Sequence, residues 1–157
     1  QLSFLALDRK LKTHRPNADV EYIVLTQGRD DWQTKKYETL PDELHNLFSD
    51  LIIVPDKSTE TYKDIIAQRG LNPEECVMIG DKEAADVNPA LNAGMHAYHI
   101  PVRTAEFASI NDQAPIHGDR YKKCGNMQEC VRDIARKFFN IHFGPMILPR
   151  IKFPRPF

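Results

Sequence analysis

Three polar residues stand directly after apolar runs: Thr26 follows VEYIVL, Lys57 follows LIIVPD, and Asp81 follows CVMIG, with Asp86 five positions further on. If those runs are strands of an open parallel sheet, the four side chains collect outside the strands' carboxyl ends, where such sheets bind ligands. A hydroxyl and an ammonium group hold phosphate oxygens, while two carboxylates hold Mg²⁺, whose preference for oxygen suits bridging to a phosphoryl group. Together they form a constellation for phosphoryl transfer. Other candidates read more plainly. His96 and His99, three apart on an expected strand, face opposite sides and make a poor metal pair. Trp32, after Gly28-Arg29-Asp30-Asp31, suits the mouth of the site and equally a packing role. Lys82 and Glu83 read as the solvated first turn of a helix.

Periodicity and punctuation outline the elements that must position these residues. Leu2, Leu5 and Leu11, with Lys10, Lys12 and His14, suit an amphipathic helix stopped by Arg15-Pro16-Asn17. Residues 20–26 are rich in β-branched and aromatic types and end at the turn signal Gln27-Gly28, which predicts a strand. Residues 31–48 read as helix with a break near Pro41, and residues 50–54 as a short apolar strand. Ser58 is the expected N-cap of the next helix, Tyr62, Ile65 and Ile66 its apolar face, and Gly70 its stop. Residues 76–79 predict a buried parallel strand, residues 82–92 a helix ended by Gly94, and residues 97–100 a strand closed by Pro101. Residues 103–120 are polar and loop-like. Residues 126–139 predict a last helix with Met127, Val131, Ile134 and Phe138 on one stripe. Strands alternating with helices predict an α/β domain with a mostly parallel sheet. Its expected divisions are an N-terminal helix over 1–14, a core over 15–139, and a basic extended arm over 140–157. Pro145, Pro149, Pro154 and Pro156 deny that arm regular structure.

At these residues the chain resembles the haloacid dehalogenase superfamily of phosphohydrolases. Thr26 in VLTQG resembles the family's second motif, a Ser or Thr that hydrogen-bonds the transferring phosphoryl group. Lys57 in PDKSTETY resembles the third-motif lysine, and Gly80 to Asp86, GDKEAAD, resembles the fourth motif, whose acids position Mg²⁺. The resemblance implies a Rossmannoid three-layer α/β sandwich, phosphate held by Thr26 and Lys57, and Mg²⁺ held by Asp81 and Asp86. The family's first motif, Asp-x-Asp at the end of the first strand, supplies the nucleophile and the general acid. Here it has no match. Asp8 after FLAL is a weak candidate, with Lys10 where the second carboxylate belongs, and only 18 positions separate it from Thr26, which barely admits a parallel crossover.

That first strand is central in the family's sheet. Losing it leaves two apolar strands facing an empty slot, so the resemblance implies one of three outcomes: residues 2–8 fill it, another polypeptide supplies a strand, or the sheet is rebuilt. The expected function is that of a catalytically incompetent domain, a structural or interaction subunit of a larger assembly. The alternative is a Mg²⁺-dependent phosphate monoester hydrolase whose nucleophile strand and cap lie outside this chain.

The bulk properties set outer limits. A chain of 157 residues suits one domain. With 41% hydrophobic and 27% charged residues it is not collagen-like, low-complexity or wholly disordered. No segment approaches the roughly 18 uninterrupted apolar residues of a membrane span. Cys76, Cys124 and Cys130, odd in number and without a CxxC pair, fit neither a disulfide framework nor zinc and predict a reducing, intracellular setting. The net charge of -1 conceals a polarity: residues 1–119 carry 12 Lys+Arg against 20 Asp+Glu, residues 120–157 carry 9 against 2. The basic end is expected to meet nucleic acid, another subunit or the chain's own acidic body, or to be a solvated face.

Overall fold

In a computed structural model, which describes residues 3–102 and 118–143, the chain opens with helix α1 (Phe4–His14). The Ser3 hydroxyl caps it, accepting from the Ala6 N–H at 3.2 Å. Its buried residues are Leu7 and Leu11, four apart, and Leu5 is only half-buried. Of the expected Leu2, Leu5 and Leu11, Leu11 is buried and Leu5 is corrected, because a spacing of six does not return to one helix face whereas the spacing of four from Leu7 does; Leu2 lies outside the described residues.

Strand β1 (Tyr22–Gln27) follows, then two short helices, α2 (Asp30–Glu38) and α3 (Asp42–Leu47), on either side of the break at Pro41. Strand β2 (Phe48–Val54) runs parallel to β1, with Thr26 beside Ile53. Helix α4 (Thr59–Gln68) opens on a capping box between Ser58 and Thr61 and closes at Gly70, whose φ of 62° lies in the left-handed region glycine tolerates. A 3₁₀ turn (Pro73–Glu75) leads to β3 (Val77–Gly80). The helix expected over 82–92 is instead a π-helical turn (Glu83–Val87) running into a short helix α5 (Asn88–Asn92). Pro89 has no N–H to continue a regular ladder there. Strands β4 (His96–His99) and β5 (Tyr121–Lys123) complete a second parallel sheet, in the order β3-β4-β5. β5 was not anticipated from the sequence, because Tyr-Lys-Lys carries no strand pattern; as an edge strand it can keep its lysines.

Helix α6 (Met127–Phe139) has Asn126 as its N-cap and ends at Asn140, whose φ is 52°. It buries Cys130, Val131, Ile134 and Ala135, while Met127 is 46% exposed. The expected stripe through Met127 is therefore displaced, since that residue sits in the open first turn. Of the loop expected over 103–120, residues 103–117 lie outside the described residues, as do residues 144–157 of the arm expected over 140–157; that arm's start is corrected, since Ile141 is 6% exposed in a core cluster with Phe143 against it.

Two core clusters lie on opposite faces of the sheet. Leu7, Leu11, Tyr98, Val131 and Ile134 form one, with Val77 and Ile79 against it. Tyr62, Ile66, Val87, Leu91, Met95 and Ala97 form the other, with Leu25 and Met78 against it. Successive residues of β3 and β4 thus alternate between layers, as a pleated strand requires. The architecture is α/β with helices on both faces of parallel strands.

The sheet comes in two pieces, however, β1-β2 and β3-β4-β5. Among the described residues no backbone hydrogen bond joins β1 to β3. Side chains hold the pieces together: the Phe4 ring of α1 meets Tyr22 of β1 edge-on at 6.1 Å, while Leu7 of the same helix shares a cluster with Val77 and Ile79. Burial and the nearby Asp8 carboxylate push the Tyr22 phenol up to about 12.

Candidate functional site

β3 ends at Gly80, where any side chain would collide with the carboxylate of Asp86. The glycine therefore lets that carboxylate lie over the strand end. Asp86 is 3% exposed. Its Oδ1 accepts from Lys57 Nζ at 2.7 Å and its Oδ2 from the Lys82 backbone N–H at 3.1 Å. The Lys57 side chain is itself 13% exposed, so this is a buried ion pair. The Lys57 backbone N–H donates to Gln27 Oε1 at 3.0 Å, which ties the loop after β2 to the end of β1. Beside it, Thr26 Oγ1 donates to Gln33 Oε1 at 2.8 Å, and Gln33 Nε2 donates to the Gln27 carbonyl at 3.1 Å. Thr26, Lys57 and Asp86 are thus positioned from the carboxyl ends of β1, β2 and β3.

Asp81 follows Gly80 directly. Its exposed side chain makes no hydrogen bond or ion pair among the described residues, but its backbone is held. The ring of His99, 4% exposed, donates from Nε2 to the Asp81 carbonyl at 3.0 Å. His99 Nδ1 lies 3.6 Å from Glu83 Oε1, and the Glu83 side chain is 11% exposed. Glu83 is therefore turned inward, and the reading of it as a solvated first turn is corrected: the wide turn after β3 rotates it toward β4. The Tyr62 hydroxyl pins the same turn by donating to the Ala85 carbonyl at 3.0 Å, and burial, then Asp86, raises its pKa.

Sequence reasoning missed Gln27, Gln33, Glu83 and His99 as site residues. His99 carried the one usable signal, a polar residue at the end of an apolar strand. His96 serves a different neighbourhood: it meets Phe138 edge-on at 4.9 Å, and burial, with Lys137 and Arg120 nearby, lowers its pKa. Trp32 is 60% exposed on α2 and does not pack into the core. Asp8 is not brought to the others by any hydrogen bond or ion pair; it stands on α1 with Lys12 Nζ at 2.8 Å.

Chemically, the strand ends can hold an anion. An ammonium group has three donors and Lys57 gives one to Asp86, which leaves two. The Thr26 hydroxyl can add another by leaving Gln33. No three His, Cys, Asp or Glu side chains among the described residues group as ligands of a metal ion. Asp81 offers one open carboxylate, while both oxygens of Asp86 are engaged by nitrogen donors. Mg²⁺ is ordinarily held by one or two carboxylates, with waters and phosphate oxygens completing its six positions, so Asp81 would supply one such ligand.

Residues 55–120 match the protein family described as HAD-hyrolase-like, a stretch that includes Lys57, Asp81 and Asp86 and omits Thr26. Among solved structures, the fold is similar to that of a haloacid dehalogenase-like family hydrolase from Xanthomonas campestris, with a TM-score of 0.59 and 22% identity. The likeness covers 71% of this chain and 45% of that one, so the chain spans less than half the length of that hydrolase. No curated protein matches the chain.

Proposed function

Because the chain carries a haloacid-dehalogenase-like hydrolase domain, we propose that it is the anion-holding part of a phosphohydrolase-type site without a nucleophile of its own. By itself it is catalytically incompetent and serves as a structural or interaction subunit. The observation that carries this reading is the buried Lys57–Asp86 pair over Gly80, to which no second carboxylate is joined by a hydrogen bond or ion pair among the described residues. Lys57 supplies positive charge and two free donors toward a phosphate. Asp86 neutralises and aims it. His99 fixes the backbone that presents Asp81. Asp8 stands on α1 in an ion pair with Lys12, and no hydrogen bond or ion pair among the described residues joins it to Lys57 or Asp86, which supports this reading.

A second reading, a Mg²⁺-dependent phosphate monoester hydrolase completed by a nucleophile strand outside this chain, is favoured by the extent of the match, 45% of a solved hydrolase. That reading needs oxygen ligands beyond Asp81.

One experiment separates them. The purified chain is incubated with p-nitrophenyl phosphate and Mg²⁺, and inorganic phosphate binding is followed in parallel by ³¹P NMR. The expected result is no turnover above background, with phosphate binding that disappears in Lys57→Met. Turnover that is lost in Asp8→Asn would overturn the proposal, and absence of phosphate binding would refute the anion-holding role.

A further inference from the structure

A cavity of about 240 Å³ opens beside α6, and its lining includes Lys122, Arg132, Asp133, Arg136, Ile141 and Phe143. None of Thr26, Lys57, Asp81 and Asp86 borders it. Separate stretches of the chain build it. Lys122 comes from β5, and Arg132 and Arg136, four apart, share one face of α6. Ile141 and Phe143 follow the left-handed turn at Asn140, which brings the chain back against the helix. Lys10 of α1 adds an ammonium group over the Phe143 ring, 4.8 Å from its centroid.

Donors and acceptors are out of balance here. Asp133 is 7% exposed and already meets three donors: Lys122 Nζ at 3.0 Å and Arg136 Nη2 at 2.7 Å on Oδ1, and the Tyr98 hydroxyl on Oδ2. Glu129, also in the lining, accepts from the Gly125 N–H at 2.9 Å. An ammonium group has three N–H donors and a guanidinium five. Beyond their bonds to Asp133, Lys122 and Arg136 therefore keep two and four among the described residues. Arg132 Nη1 donates to the Phe143 carbonyl at 3.1 Å, which holds that guanidinium against the cavity's own wall.

The charges are unequal as well. Lys10, Lys122, Arg132 and Arg136 stand against Glu129 and Asp133, so four cations meet two carboxylates and, with His142 neutral, an excess of two positive charges remains. The residues that continue from Phe143 do not offset it, since 144–157 hold three basic residues and no acid.

We propose that this cavity is a binding site for a small organic dianion, its carboxylate or phosphate oxygens held by Arg132, Arg136 and Lys122 and its carbon skeleton set against Ile141 and Phe143. Guanidinium groups match such oxygens in pairs, which an ammonium group does not. A dianion cancels the excess charge, whereas a monoanion leaves half of it. The volume lies just below the range of about 300–1,000 Å³ usual for ligand pockets, so it suits a molecule of a few carbons and excludes a nucleotide. The site is independent of the strand-end phosphate site, and either can fail without the other.

The test is an NMR titration of the full chain, read at the arginine Nε–H signals, with malonate, glycerol 3-phosphate and, at matched ionic strength, acetate. At least one dianion is expected to shift the Arg132 and Arg136 signals saturably, with a Kd at least tenfold below that of acetate. The tighter of the two tells a carboxylate site from a phosphate site. Arg132→Gln, followed at Arg136, and Arg136→Gln, followed at Arg132, should each weaken that binding about tenfold or more. The comparison with acetate needs no variant and stands if either one folds poorly. Shifts that do not saturate would mean charge screening alone and would overturn the proposal. Equal affinity for acetate and both dianions, or dianion binding unchanged in both variants, would overturn it too. So would the absence of any shift, the result expected if the chain's own residues 144–157 fill the cavity.

Discussion

The Lys57–Asp86 pair sets the energetics of the strand ends. Removing one partner of a buried pair leaves an uncompensated charge and costs about 3–5 kcal/mol, while replacing both with apolar residues of similar size is far gentler. Lys57→Met and Asp86→Leu should therefore each destabilise strongly in urea unfolding, and the double variant should recover most of the loss. Additive losses would mean the pair is not coupled. Asp133 makes a separate, pH-dependent contribution. Burial alone would raise its carboxyl, but hydrogen bonds from Tyr98 at 2.5 Å, Arg136 at 2.7 Å and Lys122 at 3.0 Å outweigh it and bring it down to about 2. A pKa lower in the folded than in the unfolded chain adds stability above the unfolded value, lost as pH falls toward the folded one. Stability should thus decline between about pH 4 and pH 2, and Asp133→Asn should flatten that limb in acid-unfolding curves. That Thr26, Lys57 and Asp81 stand at strand ends was legible because each comes directly after an apolar run, and Asp86 only through its spacing from Asp81. Gln27, Gln33 and Glu83 were not, because their roles depend on which loops the fold brings together.

Elements with local signatures were the most legible. α4 announces itself through Ser58 and Gly70, and α6 through Asn126, because caps lie within a few residues of what they cap. β5 and the turn after β3 have no such marker: one is three residues long, and the other follows from Asp86 folding back over Gly80. α1 was legible as a helix but not in its orientation. Which leucines it buries depends on the surface formed by β3 and α6, to which no local pattern points. Leu7, 1% exposed, lies where both sheet pieces are braced, whereas Leu5 is half-buried. Leu7→Ala should cost about 2–5 kcal/mol in chemical denaturation, and Leu5→Ala clearly less. Equal costs would mean α1 is not docked by the Leu7 face.

At the scale of the molecule, the charge polarity read from the sequence is partly consumed internally. Lys122 and Arg136 converge on Asp133, Arg120 Nη1 donates to the Leu91 and Met95 carbonyls, and Lys137 donates to the Asp119 carbonyl. The parallel α/β class was legible from the alternation of strands and helices, whereas the division of the sheet into β1-β2 and β3-β4-β5 is marked by no local pattern. The same division orders the chain in time. Among the described residues every buried apolar residue except Leu7 and Leu11 lies between Tyr62 and Ile141, so β1 and β2 contribute none. On the ribosome, β1 and β2 emerge before β3, β4 and α6, and the core cluster that includes Leu7, Val131 and Ile134 is complete only when Ile141 follows. At about 5–20 residues per second, that delay is on the order of several seconds. Throughout it two strongly apolar strands have each other and little else, so the nascent chain's most vulnerable interval comes before its core exists, and a chaperone that holds extended apolar segments would act then.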